Sequence, residues 1–269
     1  MKLASSNIAL PAYDHVHELG GLREMGLEGV EVAPSRVWRD TWHGLTTRHV
    51  ETYRKEVEAA GLEVVGLHSL FFDHPDLGLF CSEEFSSQTL DFMVHLSAVC
   101  RDLGGKTLIY GGGRKRGDIP EDEAYKRTID FCLTLCESIE DHGTCFCFEP
   151  LGLNKMDFIN SVEDSLRIVR ALEHPALRVQ LDAEALSDNN EILESTFQAA
   201  KPYLVHVHAN EPGFDVLGSS GMVDHAAIGA HLKNINYQGF VSIEQRMKNE
   251  NNPMGDLEKS AAVLRELYK

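Results

Sequence analysis

The sequence predicts an α/β fold, a closed (β/α)₈ TIM barrel built by residues 1–269 as one domain. Three observations point to it. The chain has 269 residues, close to the roughly 250 that one such barrel takes. A unit of polar helix, glycine or proline, and short β-rich run recurs along it. The β-rich runs of the second half each end on an ionisable residue, where a barrel places its reactive groups.

The elements follow in order. A first strand is expected around Leu3–Ile8, a second from Glu24-Met-Gly-Leu-Glu-Gly-Val-Glu-Val, and a third from Glu58-Ala-Ala-Gly-Leu-Glu-Val-Val-Gly-Leu-His68. Asp102-Leu-Gly-Gly-Lys-Thr-Leu-Ile-Tyr110 and Asp141-His-Gly-Thr-Cys-Phe-Cys-Phe-Glu149 supply the fourth and fifth. His174-Pro-Ala-Leu-Arg-Val-Gln-Leu-Asp182, Lys201-Pro-Tyr-Leu-Val-His-Val-His208 and Asn236-Tyr-Gln-Gly-Phe-Val-Ser-Ile-Glu244 supply the last three. Glycine ends helices because it tolerates the left-handed conformation after the last turn, and the residues behind it suit a buried strand. Helices are expected at Tyr53–Ala60, Ser87–Leu103, Glu121–Asp141, Val162–Leu172, Ile192–Ala200, His225–Ile235 and Leu257–Tyr268. Strand–helix alternation implies parallel strands with right-handed crossovers. Eight units favour closure; an open doubly wound sheet is the alternative. No linker or low-complexity stretch divides the chain.

Composition narrows the function. Hydrophobic residues at 43% and charged residues at 25% are an ordinary globular balance. The six cysteines, Cys81, Cys100, Cys132, Cys136, Cys145 and Cys147, fit neither a disulfide framework nor a zinc pattern, so buried thiols in a reducing compartment are expected. No apolar run approaches the roughly 20 residues of a membrane span. The opening Met1-Lys2-Leu3-Ala4-Ser5-Ser6 does not read as a secretory signal. The expectation is a cytoplasmic protein without a membrane partner, with homo-oligomerisation left open. A net charge of −17 opposes nucleic-acid binding, which needs cations to displace counterions. It still allows an anionic small substrate in a local basic pocket.

The strand ends carry the chemistry. Phe146-Cys-Phe-Glu149, Val179-Gln-Leu-Asp182, Val205-His-Val-His208 and Val241-Ser-Ile-Glu244 each close on an ionisable residue. If Glu149, Asp182, His208 and Glu244 point inward, strand alternation turns Phe148, Leu181, Val207 and Ile243 outward against the helices. All four are large and apolar, as that interface requires. The same register puts Cys147, Gln180, His206 and Ser242 inward one layer deeper, able to orient the residues above. Three carboxylates and an imidazole converging in a barrel mouth repel one another and lose solvation. A divalent cation resolves both. Oxygen-rich ligation with one imidazole suits Mn²⁺ first, with Mg²⁺, Co²⁺ and Zn²⁺ as alternatives. The competing reading is that some of the four merely close salt bridges.

These residues, with Phe148-Glu149-Pro150-Leu151, Gln180-Leu181-Asp182, His206-Val207-His208, Val223-Asp224-His225 and Tyr237-Gln238-Gly239-Phe240-Val241-Ser242-Ile243-Glu244, make the chain resemble the sugar phosphate isomerase/epimerase superfamily. Its members have a xylose-isomerase-like TIM barrel and include tagatose-type ketose 3-epimerases and inosose dehydratases. The resemblance covers nearly the whole chain. It implies that the matching Glu149, Asp182, His208 and Glu244 bind a divalent metal and that Glu149 and Glu244 also move the proton. Three positions depart from the ketose epimerase pattern: Lys155 replaces a glutamate, Ala185 a histidine and Phe214 an arginine. Those positions hold substrate oxygens in that subgroup, so the metal site carries over and the substrate does not.

Further candidates surround the mouth. His68 ends the third strand and Glu31 lies near the end of the second; either contacts substrate or fills the barrel. Trp38 and Trp42 sit in the following loop, where an aromatic face can pack on a sugar or pin the loop. Gly111-Gly-Gly-Arg114-Lys115-Arg116-Gly117 lies on the same face, and Arg114 and Arg116 are expected to bind a phosphate or carboxylate of the substrate. The other reading is a solvated loop paired with Glu121 and Asp122. Lys155 and Arg246, just beyond strand ends, add to the anionic-substrate expectation. Gly218-Ser-Ser-Gly221 reads as a lid or a plain loop, Asp224-His225 as the start of the seventh expected helix, and His15 among others as a helix or surface residue. The expected function is a metal-dependent sugar isomerase or epimerase acting on an α-hydroxy-carbonyl through an enediolate. A dehydratase using the same enediolate, or a sugar-binding barrel without catalysis, are the alternatives.

Overall fold

The computed structural model describes the backbone of residues 1–269 and the side chains of all but residues 83–85. Eight strands run β1 (Lys2–Ser6), β2 (Gly29–Val32), β3 (Glu63–Leu67), β4 (Thr107–Tyr110), β5 (Cys145–Phe148), β6 (Leu177–Asp182), β7 (Leu204–Ala209) and β8 (Phe240–Ile243). They pair in chain order, all parallel, and β1 closes on β8 through Lys2 opposite Phe240 and Ser5 opposite Ile243. The sheet is a closed barrel, as expected.

The surrounding helices are α1 (Val16–Glu24), α2 (Thr47–Ala59), α3 (Glu83–Leu103), α4 (Glu121–Ser138), α5 (Val162–Leu172), α6 (Ala183–Asp188), α7 (Glu194–Ala200), α8 (His225–Asn234) and α9 (Pro253–Tyr268). Phe148, Leu181, Val207 and Ile243 are fully buried in the main apolar core, as alternation required. Helix α5 sits where expected because Ser161 and Asp164 form a reciprocal cap at its start. Helix α2 starts earlier, at Thr47, because Thr46 caps it with His49 in the capping role usually taken by glutamate. Two helices were not anticipated. Gly20 and Gly21 weaken the helical signal of α1, and α6 follows β6 with no intervening loop, its first turn capped by the Asp182 side chain.

All six cysteines are free thiols. Among the described residues, no helix is long and apolar enough to cross a membrane.

Candidate active site and metal centre

The strand register puts the chemistry in one place. Asp182 stands directly opposite His208 across β6 and β7, so their side chains share the inner face. Glu149 and Glu244 are the residues just beyond β5 and β8. One ligand atom from each of Glu149, Asp182, His208 and Glu244 lies within 4.8 Å of the others, and all four residues are buried. His208 Nδ1 is 2.7 Å from Glu149 Oε1, 3.5 Å from Glu244 Oε2 and 3.9 Å from Asp182 Oδ2.

Neighbours fix these groups. Gln180 donates to Glu149 Oε1 at 3.1 Å. Asn210 Nδ2 donates to Asp182 Oδ2 at 2.6 Å and to Glu244 Oε2 at 3.1 Å, while its Oδ1 accepts the Glu184 N–H at 2.9 Å. A Cβ at position 111 would collide with Glu149 Oε2, so Gly111 leaves that carboxylate room. Behind His208, Glu31 is fully buried on β2 and sits 3.1 Å from both His208 Nε2 and His206 Nε2. Glu31 therefore accepts from Nε2 and leaves Nδ1 facing the carboxylates, the outer hydrogen bond that orients a metal-binding histidine.

The electrostatics describe acidic groups crowded into a buried space. Burial, and then the charges of Glu149 and Glu244, push the Asp182 carboxyl well above its ordinary range. Burial alone would lower His208, yet Glu31, Glu244 and Glu149 hold it well above the usual imidazole value. Burial works to raise Glu31, but His206, His208 and His68 keep it well below the usual carboxylate range. Three carboxylates crowded around one imidazole thus disfavour full ionisation, and the raised Asp182 records that crowding. Their oxygen-rich donor set fits a divalent ion.

Residues 21–267 match the family described as the xylose isomerase-like TIM barrel. The chain belongs to that family. The D-psicose 3-epimerase of Ruminiclostridium cellulolyticum is 26% identical over 130 residues, which is 48% of this chain and 42% of that protein. The matched stretch thus spans under half of that relative. The crystal structure of D-psicose 3-epimerase with D-tagatose from Clostridium cellulolyticum H10 superposes with a TM-score of 0.84 at 15% identity, covering 100% of both chains. The 3-keto-D-glucoside 4-epimerase of E. coli superposes with a TM-score of 0.80 at 22% identity, covering 99% of both. At these identities the superpositions establish the fold.

In this xylose isomerase-like barrel, a cavity of about 180 Å³ is lined by the three carboxylates, Glu149, Asp182 and Glu244, together with His68, Gly111, Lys155 and Phe214. His68 lies just beyond β3, with Nε2 2.5 Å from Ser6 Oγ and Nδ1 3.4 Å from Glu244 Oε1. Lys155 lies 2.5 Å from Glu184 Oε2. Burial opposes its charge, but the Glu184 hydrogen bond and the nearby Asp182 raise its pKa, so it stays an ammonium. Two cations approach the Phe214 ring, with Lys155 Nζ at 5.6 Å and the Arg246 guanidinium at 4.9 Å from its centroid.

Three expected substrate contacts lie elsewhere. Arg114 is fully buried and donates to the carbonyls of Phe158, Ile159 and Glu149; it ties two loops together and presents no free donor fork to a substrate anion. Arg116 bonds the carbonyls of Asp157 and Ile119 and lines a separate cavity with Asp157 and Asp164. Trp38 packs edge-on against Tyr53, 5.8 Å between ring centres, in a groove outside the barrel mouth. The 218–221 loop is anchored through the Gly218 N–H and Ser220 hydroxyl, both donating to Glu211. His15 is buried against Tyr53 and is not a surface residue.

Asn210 was not anticipated. It lies two residues beyond His208, so alternation along β7 and past its end carried the signal. Glu31 was weighed as a substrate contact, while its place behind His208 depends on a pairing across the barrel interior that no local pattern encodes.

Proposed function

We propose that this protein is a divalent-metal-dependent sugar epimerase or isomerase in which Glu149 and Glu244 move a proton at a carbon beside a carbonyl. The observation that carries this reading is the convergence of Glu149, Asp182, His208 and Glu244 within 4.8 Å of one another beneath an open cavity. These residues would hold the metal, with Mn²⁺ best suited to three carboxylates and one imidazole. When bound, such an ion supplies charge stabilisation to an enediolate. The rest falls to the chain. One glutamate takes the proton from carbon and the other returns one; acceptance on one face and return on the other inverts the centre. Asn210 holds Glu244 and Gln180 holds Glu149, so neither carboxylate must reorganise during transfer. Lys155, His68 and Arg246 stand where substrate oxygens enter. Lys155 is already paired with Glu184, so the pocket offers a hydroxyl a shared charge rather than a bare cation.

Incubation of the Mn²⁺-loaded protein with a panel of ketoses in D₂O tests this. Deuterium at the carbon beside the carbonyl, with the epimer or isomer formed, is expected. Loss of water from the sugar would make the protein a dehydratase. Binding with neither outcome would make it a carbohydrate-binding barrel.

A further inference from the structure

The cavity over the carboxylates does not end at Phe214. Ser69, Phe214 and Glu244 line it and also line a second, adjoining cavity of about 460 Å³. The inner volume, about 180 Å³, lies below the roughly 300–1,000 Å³ typical of small-molecule sites, whereas the outer one lies within that range. The two adjoin at these shared residues, which places the outer space next to the reacting end of a molecule held over the carboxylates.

The outer cavity has a particular chemistry. Phe72 lines it with 75% of its surface exposed, unusual for a ring of that size. Phe214 offers a second ring at the junction, and its backbone is held at φ 55°, a strained conformation for a bulky residue. Two backbone hydrogen bonds keep it there: the Phe214 N–H donates to Glu211 and the Arg246 N–H donates to the Phe214 carbonyl, at 2.9 and 3.0 Å. Ser69, also at the junction, is held at φ 53°. Strain of this kind is retained where a site over-determines it. The cations here sit beside aromatic and opposing groups. Arg36 Nη2 bonds the Leu10 carbonyl at 2.5 Å, Arg246 stacks on Phe214, and Glu250 adds an opposing charge. Aromatic faces with polar groups of both signs beside them match a neutral sugar ring, whose C–H face packs on the ring while its hydroxyls reach the polar rim. They match a phosphate poorly.

We infer that the outer cavity binds a second ring, and that the substrate is a glycosylated ketose: its carbonyl end over Glu149 and Glu244, its O-linked sugar against Phe72 and Phe214. This rests on the function proposed above.

The test compares D-fructose with isomaltulose and lactulose, ketoses that carry a second sugar at the far end. Deuterium incorporation is measured with Mn²⁺-loaded protein, and binding by calorimetry with Mn²⁺-loaded Glu149→Gln protein. At least one disaccharide is expected to be favoured tenfold or more over D-fructose in kcat/KM and in affinity. Phe72→Ala is expected to lower the disaccharide values at least tenfold more than the D-fructose values. Equal handling of all three sugars, or a preference untouched by Phe72→Ala, overturns the inference. So does competition by inorganic phosphate at millimolar concentration, or light scattering showing that Phe72→Ala only converts a dimer to a monomer. If no sugar exchanges deuterium but the disaccharide binds more tightly, the proposed reaction falls and the outer subsite stands. If no sugar binds, both fall.

Discussion

Replacing Glu149 or Glu244 by glutamine keeps the side chain's shape and hydrogen-bonding reach but removes the carboxylate base. Each variant is expected to lower kcat by about 10²–10⁴-fold, the usual contribution of a positioned acid–base group, with an unchanged circular-dichroism spectrum; near-wild-type turnover would remove that residue from proton transfer. Glu31 acts at one remove. Its oxygens lie 3.1 Å from His208 Nε2, so Glu31→Gln leaves the four inner residues in place and weakens the support that fixes the imidazole. Mn²⁺ affinity measured by calorimetry should then fall about 10–100-fold, as for other partners of metal-binding histidines. An affinity within twofold of wild type would show that His208 is oriented without Glu31. At this scale the sequence made four residues legible because each lies at or next to the end of a strand of clear alternation. Arg114 was misread for a matching reason. A cation among glycines looks like an anion site, and nothing nearby in sequence reveals the carbonyls of Phe158 and Ile159 that engage it.

Elements are joined by a few buried polar bridges, and these set a second group of expectations. Arg114 connects the loop after β4 to the chain after β5, and burial lowers its guanidinium to about 10 despite the nearby Glu149. Removing it strands buried carbonyls, each costing about 1–3 kcal/mol. Arg114→Ala is therefore expected to lose at least about 3 kcal/mol in urea unfolding, rather than to raise KM with stability intact. His15 links α1 to α2, with Nδ1 donating to the Pro11 carbonyl at 2.9 Å and Nε2 accepting from the Tyr53 hydroxyl at 2.8 Å. Burial is the main cause that lowers its pKa below 6.5. The unfolded chain therefore takes up this proton first as pH falls. The stability His15 contributes is complete above about pH 6.5 and is lost as pH drops through its lower folded value. The melting temperature of His15→Gln should accordingly fall less between pH 7 and pH 5 than that of wild type; parallel curves would show that His15 is not titrating. The strands and most helices could be read because periodicity and glycine punctuation agree there. Helices α1 and α6 could not, since one is interrupted by paired glycines and the other is set by a cap that is also a candidate metal ligand.

The four candidate ligands come from consecutive strands, β5 through β8, while the outer support of Glu31 comes from β2. A cation held by them would cross-link the second half of the barrel and pull it toward the first through His208. The unfolded chain cannot offer this arrangement, because Glu149 and Glu244 are 95 positions apart (244 − 149) and meet only when the barrel closes. Binding restricted to the folded state adds RT ln(1 + [L]/Kd), about 2.7 kcal/mol at a hundredfold excess over Kd. In domains approaching this size each kcal/mol moves the melting temperature by about 2–4 °C, so Mn²⁺ added after EDTA treatment should raise it by roughly 5–11 °C. The gain should follow the cation concentration logarithmically and shrink in Asp182→Asn, which removes one ligand charge while keeping the side chain's shape. A melting temperature indifferent to EDTA and Mn²⁺, with no metal found by elemental analysis of the purified protein, would mean that these carboxylates are balanced within the protein and that the barrel closes without an ion.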